Sequence, residues 1–106
     1  MIFTKQNLEL IREGKKTETR RIWKKPHVKV GKIYQCRTSR YSKTPEDSPY
    51  IKITAMRKEK LRDITFEAAQ REGVNDLSIF MGLWINLHGS WNPNQEVYVV
   101  DFEVIE

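Results

Sequence analysis

The chain has 106 residues, of which 39% are hydrophobic and 31% are charged. This length predicts one domain with one modest core, and the composition is typical of a folded soluble protein rather than a disordered one. No apolar run approaches the roughly 20 residues of a membrane helix, and the N-terminus lacks the pattern of a signal peptide. We therefore expect a cytoplasmic protein that forms a single domain over residues 1–106.

The net charge of +5 is unevenly distributed along the chain. Residues 1–62 contain 18 of the 19 Lys and Arg against six acidic residues, a balance of +12. Residues 63–106 contain one Arg against eight acidic residues, a balance of −7. A basic half of a small domain suggests a polyanionic partner, most commonly nucleic acid. The alternative is that folding mixes the two halves and evens out the surface charge.

The first predicted element is a short helix in TKQNLELIREG, with Thr4 as its N-cap and Gly14 at its end. The stretch GKKTETRRIWKKP follows directly and contains six Lys and Arg among thirteen residues. Its position after the helix raises three alternatives: a solvated basic turn, a strip that binds nucleic acid, or the wall of an active site.

Two strands are predicted next, at residues 33–38 and 51–57, because apolar and polar residues alternate in both. In the second strand Ile51, Ile53 and Ala55 are predicted to share the buried side. The segment between the strands, residues 39–50, is rich in Ser, Pro and charge and is predicted to be a long loop.

Two further helices and a strand complete the predicted order. One helix lies in TFEAAQREG between Thr65 and Gly73, and the other extends from Asp76 to His88. The second of these carries an apolar stripe that is predicted to face the core: Leu77, Phe80, Met81, Leu83, Trp84 and Leu87. EVYVVDFEVI is the clearest strand of the chain. This order predicts an α+β domain with a small curled sheet or barrel.

Few residues in this sequence are suited to catalysis or metal binding. Cys36 is a lone cysteine, which excludes an internal disulfide, and with only two histidines in the chain we expect no metal and no cofactor. Its place in a predicted strand favours a structural thiol over a Cys–His catalytic pair. Lys16 and Thr19 remain, because a buried Lys amine can accept the proton of a Thr nucleophile. A carboxylate would be needed to hold the Lys or to protonate a leaving group.

Four segments together resemble an ASCH domain, a branch of the PUA-like superfamily of small barrels associated with RNA: EGKKTETRRIWKKP, VGKIYQCRT, ITAMRKEKLRDITFEAAQREGV and LHGSWNPNQEVYVVDFEVI. The resemblance covers nearly the whole chain and implies a PUA-like β-barrel with about three short helices. The family motif is similar to Gly-x-Lys-x-x-Glu-x-Arg and falls here on Gly14, Lys16, Thr19 and Arg21. Thr19 stands where many members have Glu.

Thr at this position is shared with the small N4-acetylcytidine amidohydrolases, and the resemblance to them implies a Lys–Thr–Glu triad. Lys16 and Thr19 match the first two members, and Glu72, near the end of the helix after LRDIT, matches the third. Glu67 is the alternative if the helix is displaced by one turn. In this hypothesis Thr19 attacks an amide carbonyl, Lys16 is the base, and Glu72 donates a proton to the leaving amine.

The resemblance also implies that the turn after the first helix lines a cleft against the sheet. Lys16, Thr19 and Arg21 would point into this cleft, with Trp23 at its edge either to stack on a base or to pack on the core. Three cations would lie on the outer surface and attract phosphates: Arg20, Lys24 and Lys25. Tyr41 in the long loop is a second stacking candidate. Trp91 would border the cleft with Asn92 or form a hydrophobic lid.

These patterns favour three functions. The first is a PUA-like module that binds RNA or a modified nucleoside. The second is an amidohydrolase that removes an acyl group from a modified cytidine. The third is a protein-interaction module whose basic face binds an acidic partner. The predicted partner is therefore RNA or a modified nucleoside, without a membrane, a metal or a cofactor.

Overall fold

A computed structural model describes residues 1–38 and 48–105 of the chain. Within these ranges the elements are, in chain order, α1 (Lys5–Arg12), β1 (Glu18–Arg21), β2 (Ile33–Gln35), β3 (Tyr50–Lys60), a 3₁₀ turn (Leu61–Asp63), α2 (Phe66–Arg71), α3 (Leu77–His88) and β4 (Glu96–Ile105). The four strands form one antiparallel sheet with the order β1-β4-β3-β2. This sheet curls into half a barrel, which confirms the predicted α+β class with three short helices.

The helices begin at the polar residues that the sequence predicts. The side-chain oxygens of Thr4, Thr65 and Asp76 each accept a hydrogen bond from the backbone N–H three residues later. Each bond satisfies a donor that the first helical turn leaves free. α3 ends at Gly89, whose φ of 89° is a left-handed conformation that suits glycine.

Strand β4 lies in the middle of the fold, paired with β1 on one side and β3 on the other. Val97 and Val99 pack with the buried residues of α2 and α3, whereas Val100 and Phe102 pack with those of α1. Alternate residues of one strand point to opposite faces, so the sheet is covered on both faces by helices. We call the two hydrophobic clusters the α1 cluster and the α2–α3 cluster.

A β-bulge changes the alternation predicted for β3. Ile51 and Ile53 are fully buried as predicted, but the pairing register shifts between Ile53 and Ala55. Ala55 is therefore exposed, while Met56 packs against the α1 cluster. The prediction that Ala55 continues the buried side was wrong because the extra residue of the bulge reverses the facing of the residues after it.

The apolar stripe of α3 is only partly buried. Phe80 and Trp84 lie in the α2–α3 cluster, but Leu83 and Leu87 are 54% and 71% exposed. The prediction that the whole stripe faces the core was wrong for these two residues. α3 is apolar around most of its circumference, with Ile79 and Ile85 also exposed, and one sheet face covers only one side of a helix.

Cys36 is fully buried, as predicted, and its backbone N–H donates to the carbonyl of Pro49. Burial raises the pKa of its thiol to about 11, which keeps it protonated and unreactive at neutral pH. Most of the predicted loop after it, with Tyr41, lies outside the described residues. Over the described part of the chain, no helix combines the length and apolar character needed to cross a bilayer.

Candidate functional site

The basic stretch after α1 contains a strand where the sequence predicts a turn. β1 is an edge strand whose pairing sets Thr19 opposite Val100 and Arg20 opposite Val99. Residues paired across an antiparallel ladder point to the same face. Glu18 and Arg20 therefore lie on the face of the α2–α3 cluster, and Thr19 lies on the face of the α1 cluster. The residues of β1 are thus divided between the two faces of the sheet, with Thr19 and Arg21 on one face and Glu18 and Arg20 on the other.

Lys16 and Glu72 form a buried ion pair. The Lys16 Nζ lies 2.8 Å from Oε1 of Glu72 and also donates to the Glu72 carbonyl at 3.0 Å. The two side chains are only 4% and 6% exposed, whereas Glu67 is exposed at the start of α2. Glu72, rather than Glu67, is therefore the carboxylate that contacts Lys16.

The glycine after Glu72 permits this close approach. Gly73 has a φ of 99°, and a Cβ added there would lie 2.9 Å from Cδ1 of Leu10 and 3.4 Å from Cβ of Lys16. A larger residue would have to adopt a left-handed backbone and displace Leu10. The end of α2 can thus pack directly against the segment between α1 and β1.

Thr19 is buried beside Arg21. The Thr19 Oγ1 accepts a hydrogen bond from Nε of Arg21 at 3.2 Å, and the Arg21 Nη2 donates to the carbonyl of Ile2 at 2.8 Å. The guanidinium also lies 4.7 Å from the ring centroid of Phe3. Burial lowers the pKa of Arg21, and the carboxylate of Glu72 partly offsets this effect. Lys16 and Thr19 therefore have different hydrogen-bond partners, Glu72 for the first and Arg21 for the second.

Arg20 lies in the interior, and the prediction that it lies on the outer surface was wrong. Its Nη1 lies 2.6 Å from Oε1 of Glu18 and 3.1 Å from Oε2 of Glu72, and its Nη2 lies 2.8 Å from Oε1 of Glu59. The side chain is 0% exposed. Burial alone would lower the pKa of Arg20, but these carboxylates raise it overall. The strand alternation explains the correction, because position 20 shares a face with buried Val99.

We call this group of buried and rim charges the charge cluster: Lys16, Glu18, Arg20, Arg57, Glu59, Arg71, Glu72 and Asp101. It joins β1, β3, α2 and β4. Cations from the basic half of the sequence meet Glu72 and Asp101 from the acidic half here. Folding therefore neutralises part of the positive charge that the sequence places in residues 1–62.

Two carboxyl groups of the charge cluster share a hydrogen bond. Glu18 and Asp101 are directly opposite in the pairing of β1 with β4. Burial raises the pKa of Asp101 to about 6, and the hydrogen bond to Glu18 adds to this effect. Burial opposes ionisation of Glu18 too, but hydrogen bonds from Asp101, Arg71 and Arg20 lower its pKa overall. Asp101 therefore holds the shared proton below about pH 6.

We expect Asp101→Asn to flatten the pH dependence of folding stability. The raised pKa of Asp101 stabilises the fold fully below its unfolded value near 3.8, and this contribution is lost as pH rises through about 6. An amide donates to Glu18 without titrating, so the variant should exceed the wild type at pH 8 by about 1 kcal/mol, a value discounted for partial exposure. Urea denaturation at pH 5 and pH 8 measures this difference.

Glu103→Gln is the matched control for this substitution, because Glu103 is an exposed carboxylate two residues further along the same strand. It should shift stability equally at both pH values. If the stability of Asp101→Asn relative to the wild type is the same at pH 5 and pH 8, Asp101 and Glu18 do not share a proton in the folded protein.

Two adjacent cavities lie beside the end of β1, and no residue of the charge cluster lines either one. The larger, which we call the aromatic cavity, has a volume of about 400 Å³ and is lined by Ile22, Trp23, Lys24, Lys58, Gln95, Glu96, Val97 and Tyr98. The smaller, the polar cavity, has a volume of about 160 Å³ and is lined by Ile22, Trp84, His88, Ser90, Asn92 and Gln95. Both cavities share Ile22 and Gln95, so they are neighbours.

Trp23 has two roles in the structure. Its half-buried ring packs against the α1 cluster and stacks on His27, with 4.6 Å between ring centroids. It also lines the aromatic cavity, where its centroid lies 5.9 Å from that of Tyr98. The Lys58 Nζ lies 5.3 Å from the Tyr98 centroid, and Lys24 lines the same cavity. The aromatic cavity thus combines two aromatic rings with two ammonium groups and one carboxylate, that of Glu96.

The remaining predicted site residues lie in different places in the structure. Lys24 and Lys25 are exposed, as predicted, and only Lys24 lines a cavity. Trp91 packs edge-on against Phe80, at 86° and 6.3 Å, and thus against the α2–α3 cluster, while Asn92 lines the polar cavity.

Sequence reasoning missed Lys58, Tyr98, His88 and Gln95 as cavity-lining residues. No motif marks Lys58 and Tyr98, because they come near Trp23 only through the pairing of β4 with β1 and β3. His88 and Gln95 lie four and three residues from Asn92, so their closeness to it is a local signal. Over the described ranges, no three His, Cys, Asp or Glu side chains are grouped so that they could hold a metal ion.

Comparison with known proteins supports the fold. No family model matches the sequence, and no curated protein matches it. The crystal structure of an ASCH domain from Lactobacillus crispatus JV V101 is similar with a TM-score of 0.75 and 16% identity, over 93% of this chain and 70% of that one. A DUF984 protein from Enterococcus faecalis V583 is similar with a TM-score of 0.65 and 17% identity, over 98% of this chain and 74% of that one. The predicted architecture is thereby confirmed, and the chain has the fold of an ASCH domain.

Proposed function

We propose that this domain binds single-stranded RNA or a nucleotide, with one base held in the aromatic cavity. The observation that carries the proposal is the combination of Trp23 and Tyr98 with Lys24 and Lys58 around one cavity of about 400 Å³. Aromatic rings stack on the face of any base, and ammonium groups attract the phosphates beside it. The association of PUA-like folds with RNA supports the same conclusion. The predicted cytoplasmic location stays a prediction.

The cations that remain on the surface, outside the charge cluster, are consistent with binding to RNA. Lys16 and Arg20 form ion pairs with internal carboxylates and are not available to a polyanion. Lys24 and Lys25 remain exposed three and four residues after the end of β1, and Lys24 is part of the lining of the aromatic cavity. Of the cations in GKKTETRRIWKKP that were predicted to attract phosphates, only Lys24 and Lys25 are therefore available to a polyanion.

Removing Lys24 and Lys25 should weaken the salt dependence of RNA binding. Each phosphate contact on a single strand contributes about 0.7 to the slope of log affinity against log salt, so the Lys24→Ala, Lys25→Ala double variant should lose about 1.4 from that slope. Fluorescence anisotropy with a labelled 12-nucleotide RNA between 50 and 300 mM KCl measures it. The control is Lys5→Ala with Lys52→Ala, two exposed lysines that line neither cavity. Equal slopes in the two double variants would show that Lys24 and Lys25 do not contact phosphates.

We also propose amidohydrolase activity on N4-acylated cytidine as a second candidate function. The observation in its favour is the buried contact of Lys16 with Glu72, with Thr19 three residues further along the chain. Transfer of a proton from the Lys16 Nζ to Glu72 would give the neutral amine and the protonated carboxyl that the reaction needs.

The proposed reaction uses these groups in order. The Thr19 Oγ attacks the acyl carbon as its proton moves to the Lys16 Nζ, and the C–N bond breaks as Glu72 protonates the departing amine. The acyl group remains on Thr19 as an ester, which water hydrolyses. RNA binding stays the first proposal, because Thr19 is 5% exposed and lines neither cavity.

Turnover of N4-acetylcytidine by purified protein tests the second candidate. Thr19→Ala should lower the rate by at least about 100-fold, whereas Thr19→Ser should keep part of it because a hydroxyl survives. Thr54→Ala, at an exposed position of β3, should not change the rate. A wild-type protein that leaves the nucleoside intact from pH 6 to pH 10 would exclude this candidate without affecting the RNA-binding proposal.

A further inference from the structure

We infer that the polar cavity is a second nucleotide subsite, which recognises the hydrogen-bonding edge of the base next to the one in the aromatic cavity. This inference rests on the proposed RNA-binding function and extends it from stacking to base selectivity. The two subsites together would hold two successive nucleotides of a single strand.

Four of the six residues that line the polar cavity have polar side chains, and none of the six is an Asp, Glu, Lys or Arg. The cavity is formed by the end of α3 and the turn after Gly89, with His88, Ser90, Asn92 and Gln95 around it. Burial and the charge of Arg21 lower the pKa of His88, which favours the neutral ring with one donor and one acceptor. The ring centroid of His88 lies 4.1 Å from that of Trp84, which lies one turn earlier on α3.

Asn92 is held in a defined orientation. Its Oδ1 accepts a hydrogen bond from the backbone N–H of Asn94 at 3.0 Å, and its carbonyl accepts from the N–H of Gln95 at 3.0 Å. The side-chain oxygen is thus used by the turn, and the NH₂ group of Asn92 is the part that can donate to a ligand. Fixed amide and hydroxyl groups of this kind recognise the edges of unstacked bases.

The chemistry of this cavity fits a base better than a phosphate. Cations line the aromatic cavity, whereas no Lys or Arg lines the polar cavity. A phosphate would lack a charged partner there, but a base edge offers the same mixture of donors and acceptors that Asn and Gln present. The polar cavity is also the smaller of the two and is suited to one base.

Ile22 stands between the two subsites. It lines both cavities, lies just beyond the last β1 residue, Arg21, which pairs with Tyr98, and is 46% exposed. A strand that passes from one cavity to the other must cross this apolar side chain. Apolar side chains in such positions separate successive bases and end their stacking, which would leave the second base edge free for recognition.

Asn92→Asp with its matched control Asn94→Asp tests the inference. Both variants add one negative charge to the same turn, and Asp at position 92 keeps the oxygen that caps Asn94 while losing the NH₂ donor. Affinities for ten-nucleotide oligomers of U, C, A and G are measured by anisotropy. The wild type should prefer one base by at least about 10-fold, in the range of one good base contact. Asn92→Asp should reduce this preference below about 3-fold, while Asn94→Asp should keep it.

The length of the ligand gives a second measurement. A dinucleotide of the preferred base occupies both subsites, so it should bind at least about 10-fold more tightly than the mononucleotide. Binding of all four oligomers with equal affinity, or full preference in Asn92→Asp, would overturn the second subsite and leave the proposed function intact. Failure of the wild type to bind any oligomer would overturn both.

Discussion

Replacing Arg20 by Met should lower the free energy of unfolding by about 3–5 kcal/mol, the cost of breaking a buried ion pair by removing one partner. The guanidinium of Arg20 contacts Glu18, Glu59 and Glu72, and Met would leave these three carboxylates without that cation. Met keeps much of the side-chain volume, so the loss reports charge rather than a cavity. Urea denaturation at pH 7 measures it.

Arg71→Met is the control for this prediction. Arg71 donates to Glu18 at 3.0 Å from the rim of the charge cluster, where its side chain is 46% exposed. Arg71 is half exposed to water, and Arg20 and Arg57 still lie near Glu18 when it is removed, so the loss should be several times smaller. Equal losses in the two variants would show that Arg20 is not the central cation.

Replacing Trp23 by Ala should weaken RNA binding by about 1–3 kcal/mol, or about 5- to 150-fold, the usual value of one stacked base. Trp23 lines the aromatic cavity with Tyr98, and Ala would remove its stacking surface. The measurement compares a single-stranded RNA with inorganic polyphosphate of equal charge. Polyphosphate has no bases, so its affinity should not change.

Trp23→Phe separates stacking from packing. Trp23 also packs against the α1 cluster, and Phe keeps a ring at that position. The Phe variant should stay folded by circular dichroism and lose only part of the RNA affinity. If RNA and polyphosphate weaken equally in both variants, the surface recognises negative charge alone, and the alternative of an acidic protein partner would replace the nucleotide.

Local sequence signals predicted the helices well. Thr4, Thr65, Asp76 and Gly89 act at the helix ends through their own side chains or backbone angles, so each signal lies within three residues of its effect. The contact of Lys16 with Glu72 joins residues 56 positions apart, and only the resemblance to a known family suggested it.

Strand register explains most of the remaining errors. Arg20 and Arg21 are adjacent basic residues, and nothing local shows that Arg20 is fully buried while Arg21 hydrogen-bonds with Thr19. That choice depends on the pairing of β1 with β4, about 80 residues away. The bulge between Ile53 and Ala55 likewise depends on β4, because a bulge is a mismatch between two strands.

The charge cluster also restricts how this sequence can diverge. Lys16 and Arg20 come from the segment around β1, Glu59 from β3 and Glu72 from the end of α2, and each has at least one partner from a distant segment. If a charge is lost at one of these positions, a buried opposite charge at another position has no partner. Single replacements therefore lower the stability of the fold. We therefore expect relatives of this chain to change these positions together, as correlated sets of opposite charge or as jointly apolar ones. In a series of variants, single substitutions at these positions should lower the free energy of unfolding more than paired substitutions that keep the buried charges balanced.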